Sequence, residues 1–206
     1  MRSIPVVDFS DYTSGEPERK EKFIQAVGDS LKYIGFFALE NHGIPLESIE
    51  QAYEQGDLFF SLDDAIKKSY LQPKIAHQRG YTAFGVEHAK NNPAPDLKEF
   101  WQSGRSHPTS GKVPTYVGNV WPEIHAPEFK PVIDGLFNQM ESLSQSLLHS
   151  CSLYLEKDKN WLSSMSEDGN TIMRIIHYPP LGEDVPQGAV RSAAHEDINF
   201  ITLLVT

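Results

Sequence analysis

Apolar side chains recur along residues 17–34 with a helical period. Phe23, Val27, Leu31 and Ile34 fall at i, i+4, i+8 and i+11, one stripe, while Glu18, Arg19, Lys20, Glu21 and Lys22 make a solvated first turn. Pro17 suits the first helical position and Gly35 the stop. A second helix is predicted over 46–60 behind Pro45, and Ser61-Leu62-Asp63-Asp64 reads as a capping box opening another through Tyr70. The longest helix spans 130–156, where Val132, Leu136, Met140, Leu143, Leu147, Cys151 and Tyr154 form a sustained apolar seam. Such a seam packs on a sheet within the chain, or serves as a coiled-coil or dimer surface.

Strands are predicted where apolar and β-branched residues cluster between turn formers: 4–9, 36–40 and 171–178, the last stopped by Pro179-Pro180. Residues 198–205, Ile-Asn-Phe-Ile-Thr-Leu-Leu-Val, are apolar on both faces, which suits a strand buried between two layers. From Gln72 to Pro131, eight prolines and five glycines break any period. Tyr81, Phe84, Phe100, Trp101, Tyr116 and Trp121 are spread through that stretch, so it reads as loops and irregular strands folded over a site.

The 206 residues suffice for one sizeable core without staples. A net charge of −10 argues against nucleic acid, whose backbone needs a surplus of Lys and Arg. The single Cys151 rules out disulfides within the chain and thiolate metal sites, and its place in the helical seam makes it a small core hydrophobe. The sequence has no apolar export segment at its start and no run long enough for a membrane span, so a cytoplasmic protein is expected.

The candidate chemistry lies at His195-Glu196-Asp197. In an extended segment, side chains two apart share a face, so the His195 imidazole and the Asp197 carboxylate converge while Glu196 points away. These are two of the three groups of a two-histidine, one-carboxylate site for Fe(II). No histidine follows Asp197 to supply the third. His42 reads as a turn or capping residue, and His77, His88, His107 and His125, which lack ligand spacing, as surface or structural groups.

Taken together, the opening Ile4-Pro5-Val6-Val7-Asp8-Phe9, Gly35-Phe36-Phe37 with Asn41-His42-Gly43-Ile44-Pro45, Arg79-Gly80-Tyr81, Asp96-Leu97-Lys98-Glu99-Phe100-Trp101, Arg174 to Pro180 and His195-Glu196-Asp197 resemble the isopenicillin N synthase-like group of iron- and 2-oxoglutarate-dependent dioxygenases. The resemblance implies an α+β fold in which a helix-rich N-terminal region with short strands, residues 1–130, leads into a long helix and the first part of a double-stranded β-helix (jelly roll), residues 131–206. It also implies His195 and Asp197 as metal ligands and Tyr178 as a carboxylate contact to cosubstrate or substrate. Fe(II), 2-oxoglutarate and O2 would then oxidise a small molecule, with no nucleic acid or membrane partner. An Asn that many plant members carry is Ile176 here. Relatives also place a second histidine and an Arg-x-Ser several dozen residues after the first ligand pair. The expectation is therefore a truncated form, inactive alone, with the jelly roll incomplete at the C-terminus. Oxidative cyclisation of the isopenicillin N synthase type and ethylene formation are the alternatives within the enzyme class. An inactive jelly-roll binding protein is the alternative outside it.

Overall fold

The computed structural model describes residues 3–88, 94–106, 117–182, 185–197 and 199–205. Within them the chain forms two compact units, each assembled from separated segments. No described helix is long and apolar enough to cross a membrane.

The first unit takes residues 1–49, 136–169 and 201–206. Its β1 (Val6–Asp8) and β2 (Ala38–Glu40) pair in parallel, Val6 opposite Ala38. Both are shorter than the predicted strands. Phe9 already belongs to a helix, α1 (Phe9–Thr13), which the strand pattern concealed because Asp8 turns the chain by accepting the Ser10 amide at 2.8 Å. Helix α2 (Pro17–Tyr33) follows the predicted stripe, burying Phe23, Ile24 and Val27. It stops where Gly35 takes φ +87°, a left-handed turn that an L side chain resists. Leu143 and Leu147, from the long helix α5 (Phe129–Tyr154), close a core with Val7, Phe23 and Val27.

The rest of the α5 seam is partly polar. Ser150 and Ser152 are fully buried, their hydroxyls donating back to Ser146 O and Leu148 O at 3.0 and 2.9 Å. Cys151 packs beside the core, and burial pushes its thiol above the usual range, which keeps it inert. Residues 161–166 form a short, serine-bearing helix, α6 (Trp161–Ser166), that carries no apolar period. Their hydroxyls bond back to carbonyls three residues earlier, Ser163 to Asn160 O at 3.1 Å and Ser166 to Ser163 O at 2.8 Å, while Ser152 of α5 accepts the Leu162 amide at 3.1 Å.

The second unit takes residues 50–135 and 170–200. It holds most of α3 (Leu46–Phe60), α4 (Asp64–Lys68) and an antiparallel sheet in the order β3 (Gly80–Thr82), β4 (Glu99–Gly104), β5 (Ile172–His177). Helix α4 is shorter than predicted, and no side chain caps it. Ser61 bonds back to Leu58 O at 2.8 Å instead of forming a capping box. Strand β4 is the centre of this sheet and all six of its residues are buried. Its charged and amide side chains gave no alternation to read, because Glu99 and Gln102 are buried with partners and not turned to water. On the Trp101 side, that indole makes edge contacts with Phe59, Tyr70 and Phe129, ring centroids 4.8 to 5.7 Å apart. Tyr81, Phe100 and Trp101 of the irregular stretch thus belong to a core, whereas Phe84 is exposed and Tyr116 lies outside the described residues.

The predicted buried strand over 198–205 is not formed. Ile198 lies outside the described residues, and 199–205 belong to no strand, since the three-stranded sheet ends at β5. Burial is one-sided: Ile201 and Leu203 pack on the first unit's core, while Phe200 and Leu204 are exposed. An apolar run becomes a strand only where a neighbour completes a regular hydrogen-bond ladder.

Candidate metal and cosubstrate site

Strand β5 delivers Tyr178. In the register Glu99↔His177, Phe100↔Ile176, Trp101↔Ile175 and Gln102↔Arg174, residues 175 and 177 face the buried side with Trp101, while Arg174, Ile176 and Tyr178 share the opposite, more open side. Tyr178 is 41% exposed just past the end of the ladder, and Pro179-Pro180 carry the chain away. The Arg191 guanidinium lies over its ring, 5.9 Å from the centroid, and donates to Pro179 O at 3.1 Å. The Tyr178 ring is thus supported from the same loop that continues to His195.

His195 and Asp197 do converge, although they lie in an irregular segment and not in a strand. His195 Nε2 stands 3.5 Å from Asp197 Oδ1, and both side chains are about half exposed. The other ring nitrogen, Nδ1, is 2.8 Å from the Ala193 carbonyl. A carbonyl only accepts, so Nδ1 carries the hydrogen, and a neutral ring then turns its Nε2 lone pair toward Asp197. Imidazole nitrogen and carboxylate oxygen bound to one divalent ion by bonds of about 2.1 Å would stand roughly 3.0 to 3.5 Å apart. The separation of Nε2 and Oδ1 lies at the upper end of that range.

Among the described residues, no group of three or more His, Cys, Asp or Glu is placed to hold a metal. His177, the residue before Tyr178, is engaged elsewhere. Its Nδ1 is 2.8 Å from Glu99 Oε1, and its ring stacks on Phe60 at 5.1 Å. His42 is the turn residue expected, Nδ1 accepting the Ile44 amide at 3.2 Å, and His125 Nδ1 pairs with the Tyr70 hydroxyl at 2.7 Å. His107 lies outside the described residues.

Two charge clusters, one buried and one partly buried, had no predicted role. Glu99 is 4% exposed and receives Lys67 Nζ at 3.1 Å, the Tyr81 hydroxyl and His177. Burial alone would raise its carboxyl, but those three hydrogen bonds outweigh burial and hold it below the usual carboxylate range. The same contact, with desolvation as the larger cause, pushes the Tyr81 phenol well above its ordinary range. In the second cluster, Lys98 lies between Asp96 at 2.9 Å and Glu87 at 2.8 Å. Glu87 also holds Arg174 at 3.0 Å, and Arg174 Nε donates to Gln102 at 2.8 Å. Arg174 further covers the Phe100 ring at 4.6 Å. It is therefore committed to structure, although it shares a strand face with Tyr178. The sequence signal for both clusters was present in Asp96-Leu97-Lys98-Glu99, alternating charges running straight into the aromatic pair Phe100-Trp101.

The chain is similar to known dioxygenases. The family described as non-haem dioxygenase in morphine synthesis, N-terminal, matches residues 4–124. The chain is 26% identical to 2-oxoglutarate-dependent dioxygenase thnC of Trichoderma harzianum, across 98% of this chain and 63% of that protein. It is 28% identical to 2-oxoglutarate-Fe(II) type oxidoreductase hxnY of Emericella nidulans, across 98% and 60%. Among solved structures, a 2OG-Fe(II) oxygenase family protein of Caulobacter crescentus superposes with TM-score 0.81 at 33% identity, covering 97% of this chain and 62% of that one. A full-length Neurospora crassa protein in complex with alpha-KG and thymine superposes with TM-score 0.77 at 28% identity, covering 94% and 62%. The chain thus spans less than two thirds of the length of each of these four proteins.

Proposed function

Because the chain belongs to the non-haem, iron- and 2-oxoglutarate-dependent dioxygenase family, we propose that it forms the N-terminal region and the first ligand pair of an oxygenase acting on a small molecule. The observation that carries this reading is the His195–Asp197 pair, Nε2 and Oδ1 3.5 Å apart with Nδ1 already engaged by Ala193 O. In this reading, residues 131–206 supply the long helix and the first part of a jelly roll, with β5 leading to Tyr178.

Iron(II) with 2-oxoglutarate and O2 would supply the oxidising power, yielding succinate, CO2 and an oxidised substrate. The residues of this chain bind and orient. His195 contributes a neutral nitrogen and Asp197 an anionic oxygen, so the ion keeps most of its positions open. Tyr178, at the more open side of β5, would donate one hydrogen bond to a carboxylate without adding charge. Arg191 would hold the phenol ring in place from its face. The relatives named for 2-oxoglutarate, and the Neurospora crassa complex containing alpha-KG, support that cosubstrate over oxidative cyclisation without it.

The test is a titration of the 206-residue chain with Mn(II), reading the free-ion signal by electron paramagnetic resonance. Weak binding is expected, since two ligands hold an ion less firmly than three, and His195→Ala or Asp197→Ala should each abolish it. Titration curves unchanged by both substitutions would show the pair to be structural.

A further inference from the structure

Outside the ligand pair, one buried carboxylate touches the loop that carries it. Asp96 is 2% exposed. Its Oδ2 receives Lys98 Nζ at 2.9 Å, which a charge pair alone would explain, but its Oδ1 accepts the backbone amide of Ala193 at 3.0 Å. The contact is part of a wider seam. Asp96 bridges Val190 in the parallel sense, and the Leu97 amide donates to Val190 O at 2.8 Å. Residues 96–97, anchored at the entry to the central strand, therefore grip the chain at 190 and again at 193.

Ala193 has two backbone groups, and each is used. Its N–H goes to Asp96, and its carbonyl faces His195 Nδ1 at 2.8 Å. The N–H lies in the peptide plane shared with residue 192 and the carbonyl in the next plane, so the bond to Asp96 anchors Ala193 at the Cα from which that carbonyl extends. The carbonyl in turn decides which ring nitrogen of His195 bears the hydrogen. In the neutral ring, with Nδ1–H donating to it, Nε2 carries the lone pair, and Nε2 is the nitrogen 3.5 Å from Asp197. An unconstrained imidazole prefers the other tautomer, which would turn an N–H toward the carboxylate and close the site to an ion.

We propose that Asp96 is a positioning residue for His195, acting through the backbone of Ala193 to hold the imidazole in the Nδ1–H form and present Nε2 as a ligand. The inference rests on the reading of His195 as a metal ligand and adds the device that prepares it. Buried placement suits the task. Lys98 keeps Asp96 ionised, and a charged acceptor binds a backbone amide more strongly than a neutral one. Lys98 also has Glu87 at 2.8 Å, so replacing Asp96 does not leave a buried ammonium alone.

The test begins with the metal-free, 15N-labelled 206-residue chain at mildly alkaline pH. A two-bond proton–nitrogen correlation spectrum should show His195 in the Nδ1–H form. Asp96→Ala should move it toward the Nε2–H form and weaken Mn(II) binding on the order of tenfold, the usual effect of losing an outer-shell partner. Asp96→Asn keeps an oxygen for the Ala193 amide and should retain both properties near the parent. Amide resonances of β4 and β5 report whether each variant is folded. A parent chain already in the Nε2–H form overturns the proposal without any variant, as does Asp96→Ala matching Asp96→Asn in both tautomer and Mn(II) affinity. The two possible failures separate cleanly. An unaltered tautomer in Asp96→Ala defeats the relay whatever the metal does. Mn(II) affinity unaltered in His195→Ala defeats the ligand reading whatever the tautomer does.

Discussion

The Lys67 ammonium and the Glu99 carboxylate lie 3.1 Å apart in the interior of the second unit, each side chain under a tenth exposed. Glu99 also takes the Tyr81 hydroxyl and His177, so one carboxylate ties α4, β3 and β5 to the central strand. Truncating one member leaves the others buried without it. Lys67→Met should therefore cost about 3 to 5 kcal/mol in urea denaturation. Lys67→Met with Glu99→Gln should recover part of that loss, because the uncompensated charge is gone. A loss below about 1 kcal/mol for the single change would place the pair among surface-like ion pairs.

The same carboxylates set an acid limit. Burial alone would raise Glu99 and Asp96. Hydrogen bonds from Tyr81, His177 and Lys67 to the first, and from Lys98 and Ala193 to the second, hold both below the ordinary carboxylate range. With folded-state values depressed, the unfolded chain takes up protons first as acid is added. Their contribution is present above about pH 4 and is lost as pH falls through the folded values. The urea midpoint, followed by far-ultraviolet circular dichroism, should drop steadily on acidification below that point. A flat midpoint across the range would contradict the assignment.

Gly104 leaves room for the buried Arg79. A Cβ at position 104 would lie 2.6 Å from Arg79 Cζ, and the guanidinium is fixed by bonds to Asn170 and Gln78 O, both 2.7 Å. Gly104→Ala should destabilise by about 1 to 3 kcal/mol through overpacking. Repeating it in an Arg79→Met background should give a smaller loss, a coupling that a double-mutant cycle measures directly. Equal losses in both backgrounds would show that the contact is relieved elsewhere.

Tyr178→Phe removes a hydroxyl while keeping the ring under Arg191. In a polypeptide that carries this chain over the full length of its relatives, the apparent requirement for 2-oxoglutarate should rise by the worth of one hydrogen bond to a charged group, about 1.5 to 3 kcal/mol at most. Succinate formed against 2-oxoglutarate concentration reads this directly. An unaltered requirement would make Tyr178 a structural residue ahead of the Pro179-Pro180 stop.

Helices α2, α3 and α5 were legible in sequence because each buries one stripe, and a period near four survives whatever it packs against. The approach of His195 to Asp197 was legible from their spacing, two positions apart, although the segment that carries them is irregular. Strand β4 was not, because its place at the centre of a sheet depends on β3 and β5, which lie about twenty and seventy residues away. Nor could residues 199–205 be told from a buried strand, since their composition does not say which neighbour completes the hydrogen bonds. Tertiary structure alone decided that Asp96 meets Ala193 across 97 positions and that Glu99 meets His177 across 78. Local order follows from neighbours in the chain, but a buried charge is tolerated only where distant segments bring it a partner, and no local pattern records that meeting.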